Sequence, residues 1–118
     1  MIMTEISNNI REELAELQKF TATPGNGVTR FPFTEEARRA CAYLQQLMEE
    51  AGLTVRLDNS GALIGRLEGE TPATIMIGSH FDSVGHGGAY DGIAGVVCAI
   101  EVARLLKKRS EEHTSEVQ

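Results

Sequence analysis

The strongest constraint on the fold is one stretch, Gly78-Ser79-His80-Phe81-Asp82-Ser83-Val84, continuing through Gly87-Gly88-Ala89-Tyr90-Asp91-Gly92. An apolar run, Ile75-Met76-Ile77, leads in, a glycine-rich loop follows, and an amphipathic helix leaves. Strand, loop and helix in that order are the repeating unit of α/β domains, where ligands bind outside the carboxyl ends of strands. His80 and Asp82 are two residues apart, so on extended backbone they project to one side. The expected class is therefore α/β, and the stretch reads as half of a metal site.

The remaining chain supplies scaffold. Ile6, Ile10, Leu14, Leu17 and Phe20 recur at spacings of three and four, predicting an amphipathic helix that ends before Pro24. Residues 21–33 carry Pro24, Gly25, Gly27 and Pro32 and read as loop. Thr34 offers an N-cap, with Glu35 and Glu36 in the first turn, where the helix dipole favours acids. Ala37, Cys41, Leu44, Met48 and Ala51 form the expected buried stripe, and Gly52 closes the helix. Residues 53–57 and 62–67 flank Asp58-Asn59-Ser60-Gly61, a hairpin signal. Residues 68–72 read as a surface turn, and 73–78 as a short buried strand suited to a partly parallel sheet. A third helix is expected from about Gly92 to Lys108, with Ile93, Val96, Val97, Ile100, Ala103 and Leu106 inward and Glu101, Arg104 and Lys108 outward. Gly92 and Gly95 near its start permit close approach to the segment before it.

The 118 residues amount to one domain at most, 42% apolar and 24% charged, with a net charge of −6. The acids are spread along the chain, which argues against a nucleic-acid partner. No apolar run approaches the roughly 20 residues that span a membrane, and the first residues lack the order of a secretory signal. Cys41 and Cys98 fall at apolar-face helix positions, predicting buried free thiols and a reducing cytoplasm. Residues 1–108 are read as the domain proper. Residues 109–118, polar and without periodicity, are expected to be a non-native tail resembling translated sequencing adapter, the alternative being a genuine polar tail. His113 is accordingly no site candidate.

Singly, His80 could be a core histidine and Asp91 an ordinary N-cap before Gly92. Together with Asp82 they point to metal, because metal-bound imidazoles commonly have a carboxylate partner that fixes the tautomer. Histidine with carboxylate suits zinc, manganese or cobalt better than calcium or magnesium. A carboxylate such as Asp91 can bridge two ions, as two-metal hydrolases require. No glutamate is placed as general base: Glu68 and Glu70 lie on a turn and Glu101 on a polar helix face. His86 is either an extra ligand or an exposed loop histidine. The loop has neither G-x-G-x-x-G nor a P-loop ending, so nucleotide binding is not expected.

These residues resemble the first metal motif of the M20 metallopeptidase-like amidohydrolases, most nearly their hydantoinase/carbamoylase branch. The motif is Gly78 through Val84, then Gly87-Gly88, Asp91-Gly92 and Gly95-Val96. Gly27-Val28-Thr29-Arg30, Phe33-Thr34, Ala51-Gly52-Leu53, and Asp58 through Gly65-Arg66 extend the likeness over about residues 6–108. Gly85-His86 departs from the Pro-Asn usual in that branch. The resemblance implies a truncated, aminopeptidase-like catalytic domain with a mixed sheet flanked by helices. It implies that His80 ligates one of two divalent ions (zinc, manganese or cobalt), that Asp91 bridges both, and that Asp82 supports His80, which makes Asp82 the catalytic candidate. It further implies hydrolysis of the C–N bond of an N-carbamoyl amino acid or allantoate-like ureide by a homodimeric complete enzyme. The base and remaining ligands would come later in such an enzyme, so this chain alone is expected to be inactive. A di-metal aminopeptidase or dipeptidase, or a small non-catalytic module, are the competing readings.

Overall fold

A computed structural model describes residues 2–117, with side chains through Glu112. Its elements run α1 (Ile2–Leu17), α2 (Glu35–Glu50), β1 (Thr54–Leu57), β2 (Leu63–Arg66) and α3 (Ile93–Val117). The helices and hairpin form where the apolar spacing and turn residues place them, and the fold is α/β.

α2 starts as its sequence dictates. Thr34 sits in extended backbone and its hydroxyl oxygen accepts the Ala37 N–H at 3.2 Å, satisfying one orphan donor of the first turn. Ala37, Ala40, Leu44, Leu47 and Ala51 are buried along it, whereas Cys41 and Met48 are only half-buried. Gly52, at φ +89°, ends it in the left-handed conformation. β1 and β2 pair antiparallel, Thr54 opposite Arg66 and Leu57 opposite Leu63. The turn between them is held by Asp58, whose carboxylate accepts from the Ser60 N–H (2.8 Å), the Ser60 hydroxyl (2.6 Å) and the Ala62 N–H (3.0 Å).

The core joins Leu17 of α1, Ala40, Leu44, Leu47 and Ala51 of and beside α2, and Ile93, Val97 and Ile100 of α3. Phe20 and Tyr43 close one side with ring centroids 5.9 Å apart. Where α3 meets α1, a polar network is buried rather than exposed. Glu13 and Glu101 are almost fully covered, and both accept from the guanidinium of Arg104, Glu101 at 2.6 Å. Asn9 also donates to Glu101 at 3.3 Å. Glu101 and Arg104 therefore do not face solvent as expected, because α1 covers that side of α3. Cys98 and Leu106 are exposed, contrary to the inward positions expected of them, since only Ile93, Val97 and Ile100 of the stripe lie fully in the core. α3 continues past Lys108 to Val117. Gln118, the last residue of the expected tail, lies outside the described residues.

One expected strand is not formed. Residues 73–78 pair with no strand among the described residues, and Ile75 and Met76 are 95% and 84% exposed. β propensity expresses fit to a pleated, half-buried surface, and among the described residues the one sheet, β1–β2, does not extend to offer such a surface. No helix of the described residues is long and apolar enough to cross a membrane.

Candidate active site

With no ladder beneath it, the segment carrying His80 is held from two other sides. The first is the loop 21–33. Val28 and Gly87 form an antiparallel bridge, each N–H donating to the other's carbonyl at 2.8 Å. The Ser83 N–H donates to the Arg30 carbonyl (2.9 Å), and the Arg30 N–H to the Ser83 hydroxyl (2.9 Å). Phe81 packs against the core between the two candidate residues. The second support is the start of α3. Gly95 lies so close to Ser79 that a Cβ there would stand 2.8 Å from the serine Cβ, and a Cβ on Gly92 would strike the His80 ring. The expected close approach of helix and segment through Gly92 and Gly95 is present, and it is at the imidazole that it is tightest.

His86 takes φ +50°, a region where asparagine and histidine are enriched among non-glycine residues. Where the branch usually has Pro-Asn, this chain thus has a residue that tolerates the left-handed turn seen here. Its N–H donates to the Thr29 hydroxyl (2.9 Å) and its Nδ1 to the Asn26 carbonyl (2.8 Å), so the ring belongs to the loop and not to the candidate site.

His80, Asp82 and Asp91 do come together. His80 Nδ1 stands 3.0 Å from both the Asp82 carboxylate and the Asp82 carbonyl oxygen. Both partners accept, so Nδ1 carries a proton, and in the neutral ring Nε2 then presents its lone pair. Nε2 faces the Asp91 carboxylate at 3.5 Å. Two electron-pair donors opposed in this way repel unless a proton on Nε2 or a metal ion lies between them. With metal–ligand bonds of about 2.1 Å, tetrahedral coordination separates two donors by roughly 3.4 Å, so the pair fits a shared ion. Asp91 is not the N-cap its position suggested: its carboxylate is exposed and makes no hydrogen bond to the first N–H groups of α3 among the described residues. Among the described residues no three His, Cys, Asp or Glu side chains are arranged to ligate one metal ion together. Two donors and one supporting carboxylate are what this chain brings. Two of the glutamates weighed as general base are engaged elsewhere: Glu68 pairs with Arg66 at 2.7 Å and Glu101 with Arg104 at 2.6 Å.

Arg30 went unnoticed as a site residue in the sequence. Its guanidinium, buried to 2% exposure, donates from Nε to the Phe81 carbonyl (2.7 Å) and from Nη1 to the Leu17 and Phe20 carbonyls (2.9 Å each). Burial lowers its pKa, and the nearby Asp82 carboxylate acts in the opposite sense. A cue existed: α1 has no basic residue in its last turn, so its terminal carbonyls and dipole lack a cation of their own.

The unit that carries this site is shared with known hydrolases: the model of peptidase family M28 matches residues 62–118. Nearer relatives narrow the class, and the chain belongs to the hydantoinase/carbamoylase family of amidohydrolases. It is 48% identical over 102 residues to the N-carbamoyl-L-amino-acid amidohydrolase of Paenarthrobacter aurescens, covering 85% of this chain and 24% of that one. It is 35% identical over 105 residues to the allantoate amidohydrolase of Bacillus subtilis, covering 87% of this chain and 26% of the relative. Among solved structures, a hydantoinase/carbamoylase family amidase from Burkholderia ambifaria superposes with a TM-score of 0.79 at 36% identity, over 86% of this chain and 25% of that one. The chain thus spans about a quarter of the length of these relatives.

Proposed function

We propose that this sequence forms part of a hydrolase that cleaves the C–N bond of a carbamoyl or ureido group in a small molecule, an N-carbamoyl-L-amino acid or an allantoate-like ureide. His80 and Asp91 would hold divalent metal (zinc, manganese or cobalt), with Asp91 placed to serve a second ion as well. The observation that carries the reading is the opposition of His80 Nε2 and the Asp91 carboxylate at 3.5 Å with Nδ1 committed to Asp82. Bound metal there would lower the pKa of water and polarise a carbonyl oxygen. The chain's own residues fix the tautomer (Asp82), present the imidazole lone pair (His80) and supply the facing charge (Asp91). Among the described residues no glutamate joins them to take a proton, so the 118 residues by themselves are expected to turn over no ureide.

The match to the M28 peptidase model over residues 62–118 supports a second reading, a di-metal aminopeptidase or dipeptidase. N-carbamoyl amino acids and dipeptides offered to a protein carrying this sequence together with the remaining three-quarters of its relatives' length would separate the two by product.

The site reading is tested with manganese, whose paramagnetism reports even weak binding. Added Mn2+ should broaden the NMR signals of His80, Asp82 and Asp91 before others, and His80→Ala should remove the effect, since a ligand is lost. Broadening centred on His86, or unchanged by His80→Ala, would return His80 to an ordinary surface histidine.

A further inference from the structure

We propose that Arg30 is a positioning residue for the His80–Asp82 pair, clamping the carbonyl of the residue between them to the C-terminal end of α1. The inference deepens the metal-site reading and rests on it for its purpose, though not for its test.

Phe81 is the only residue between His80 and Asp82, so the orientation of its peptide group sets the directions in which the two side chains leave the backbone. That carbonyl accepts from Arg30 Nε at 2.7 Å. The same guanidinium spends both protons of Nη1 on the carbonyls of Leu17, the last residue of α1, and Phe20, just beyond it, 2.9 Å each. The arginine backbone adds two more ties, to the hydroxyl and the N–H of Ser83, one residue beyond Asp82. A planar fork with donors in fixed directions can hold three carbonyls at once. A lysine ammonium, a single point charge on a flexible stem, cannot. Since residues 73–84 lie in no sheet ladder, this buried cation replaces the ladder as the element that fixes the backbone bearing the pair. Its charge also faces the Asp82 carboxylate from within the protein.

The test uses Arg30→Met and Arg30→Lys in the 118-residue chain, read through the imidazole 15N shifts of His80, which report which ring nitrogen carries the proton. Wild type should show the proton held on Nδ1. Arg30→Met, folded by its dispersed spectrum, should show a mixture of tautomers, and Arg30→Lys should not restore the wild-type pattern. Mn2+ binding should weaken by about tenfold, the low end of what a lost outer partner costs. Unchanged His80 shifts in a folded variant would overturn the proposal whatever happened to stability. If neither variant folds, Arg30 is a keystone of the whole fold rather than a positioning residue, and the proposal also fails. Altered His80 shifts with no Mn2+ binding to any protein would instead leave Arg30 in its role and remove the metal reading.

Discussion

Substituting Gly92 by alanine isolates the contact on which the candidate site depends. Gly92 has φ +70°, and an added Cβ would overlap His80 Cε1 and Nδ1 and stand 2.5 Å from Nε2. The left-handed conformation alone costs an L-residue about 1 kcal/mol. The methyl then forces the imidazole aside, because the opposing surface is helix backbone that cannot retreat. Turning the ring out breaks its hydrogen bond to Asp82, worth roughly 1 kcal/mol at a half-exposed site. The sum, about 2 kcal/mol, corresponds to a fall in Tm of about 8 °C for a domain of this length. Urea unfolding gives the stability, and His80 imidazole shifts give the ring position. Gly88→Ala is the control, since Gly88 has no positive φ and a Cβ there meets nothing within 4 Å. It should lie within about 0.5 kcal/mol of wild type and leave the His80 signals in place. If Gly92→Ala and Gly88→Ala behave alike, or if His80 keeps its shifts in Gly92→Ala, the packing of ring against helix start is wrong and so is the site geometry built on it.

Two further outcomes check the scaffold. The Ser60 hydroxyl, then the Ala62 and Ser60 N–H groups, hold the Asp58 carboxylate below its ordinary pKa. A depressed carboxylate adds stability above its unfolded pKa of about 3.9 and loses it as pH falls through the lower folded value, so Asp58→Asn should narrow its stability gap to wild type in urea titrations taken from pH 6 down to pH 3. For Arg104, burial works against the charged form, yet hydrogen bonds to Glu13 and Glu101 hold its pKa above the ordinary value. Arg104→Met strands two covered carboxylates and should cost roughly 3 kcal/mol in urea unfolding, whereas a value near that of a surface substitution would mean the network is solvated.

What could be read in the sequence was what local chemistry decides. Thr34 before Glu35-Glu36, Gly52 after an apolar stripe, and Asp58-Asn59-Ser60-Gly61 between β-rich runs each close their own hydrogen bonds within a few residues, and the helices and hairpin followed. The failures were positions decided by a partner far along the chain. Glu101 looked exposed because nothing local announces that Asn9, some ninety residues earlier, donates to it, or that Arg104 ties it to Glu13. Residues 73–78 had the composition of a strand without a neighbouring strand to receive their hydrogen bonds. The candidate site belongs to both classes. His80-Phe81-Asp82 places donor and support on one side by spacing alone, and Asp91-Gly92 brings the second donor at a helix start, so those three residues could be named in advance. Their mutual geometry could not, because it depends on Arg30 reaching from a loop fifty residues upstream to the Phe81 carbonyl and on Gly92 admitting the imidazole against helix backbone. A motif therefore names the groups that do chemistry more readily than the buried groups that aim them, since aiming is a long-range property. In this chain one arginine and one glycine account for it.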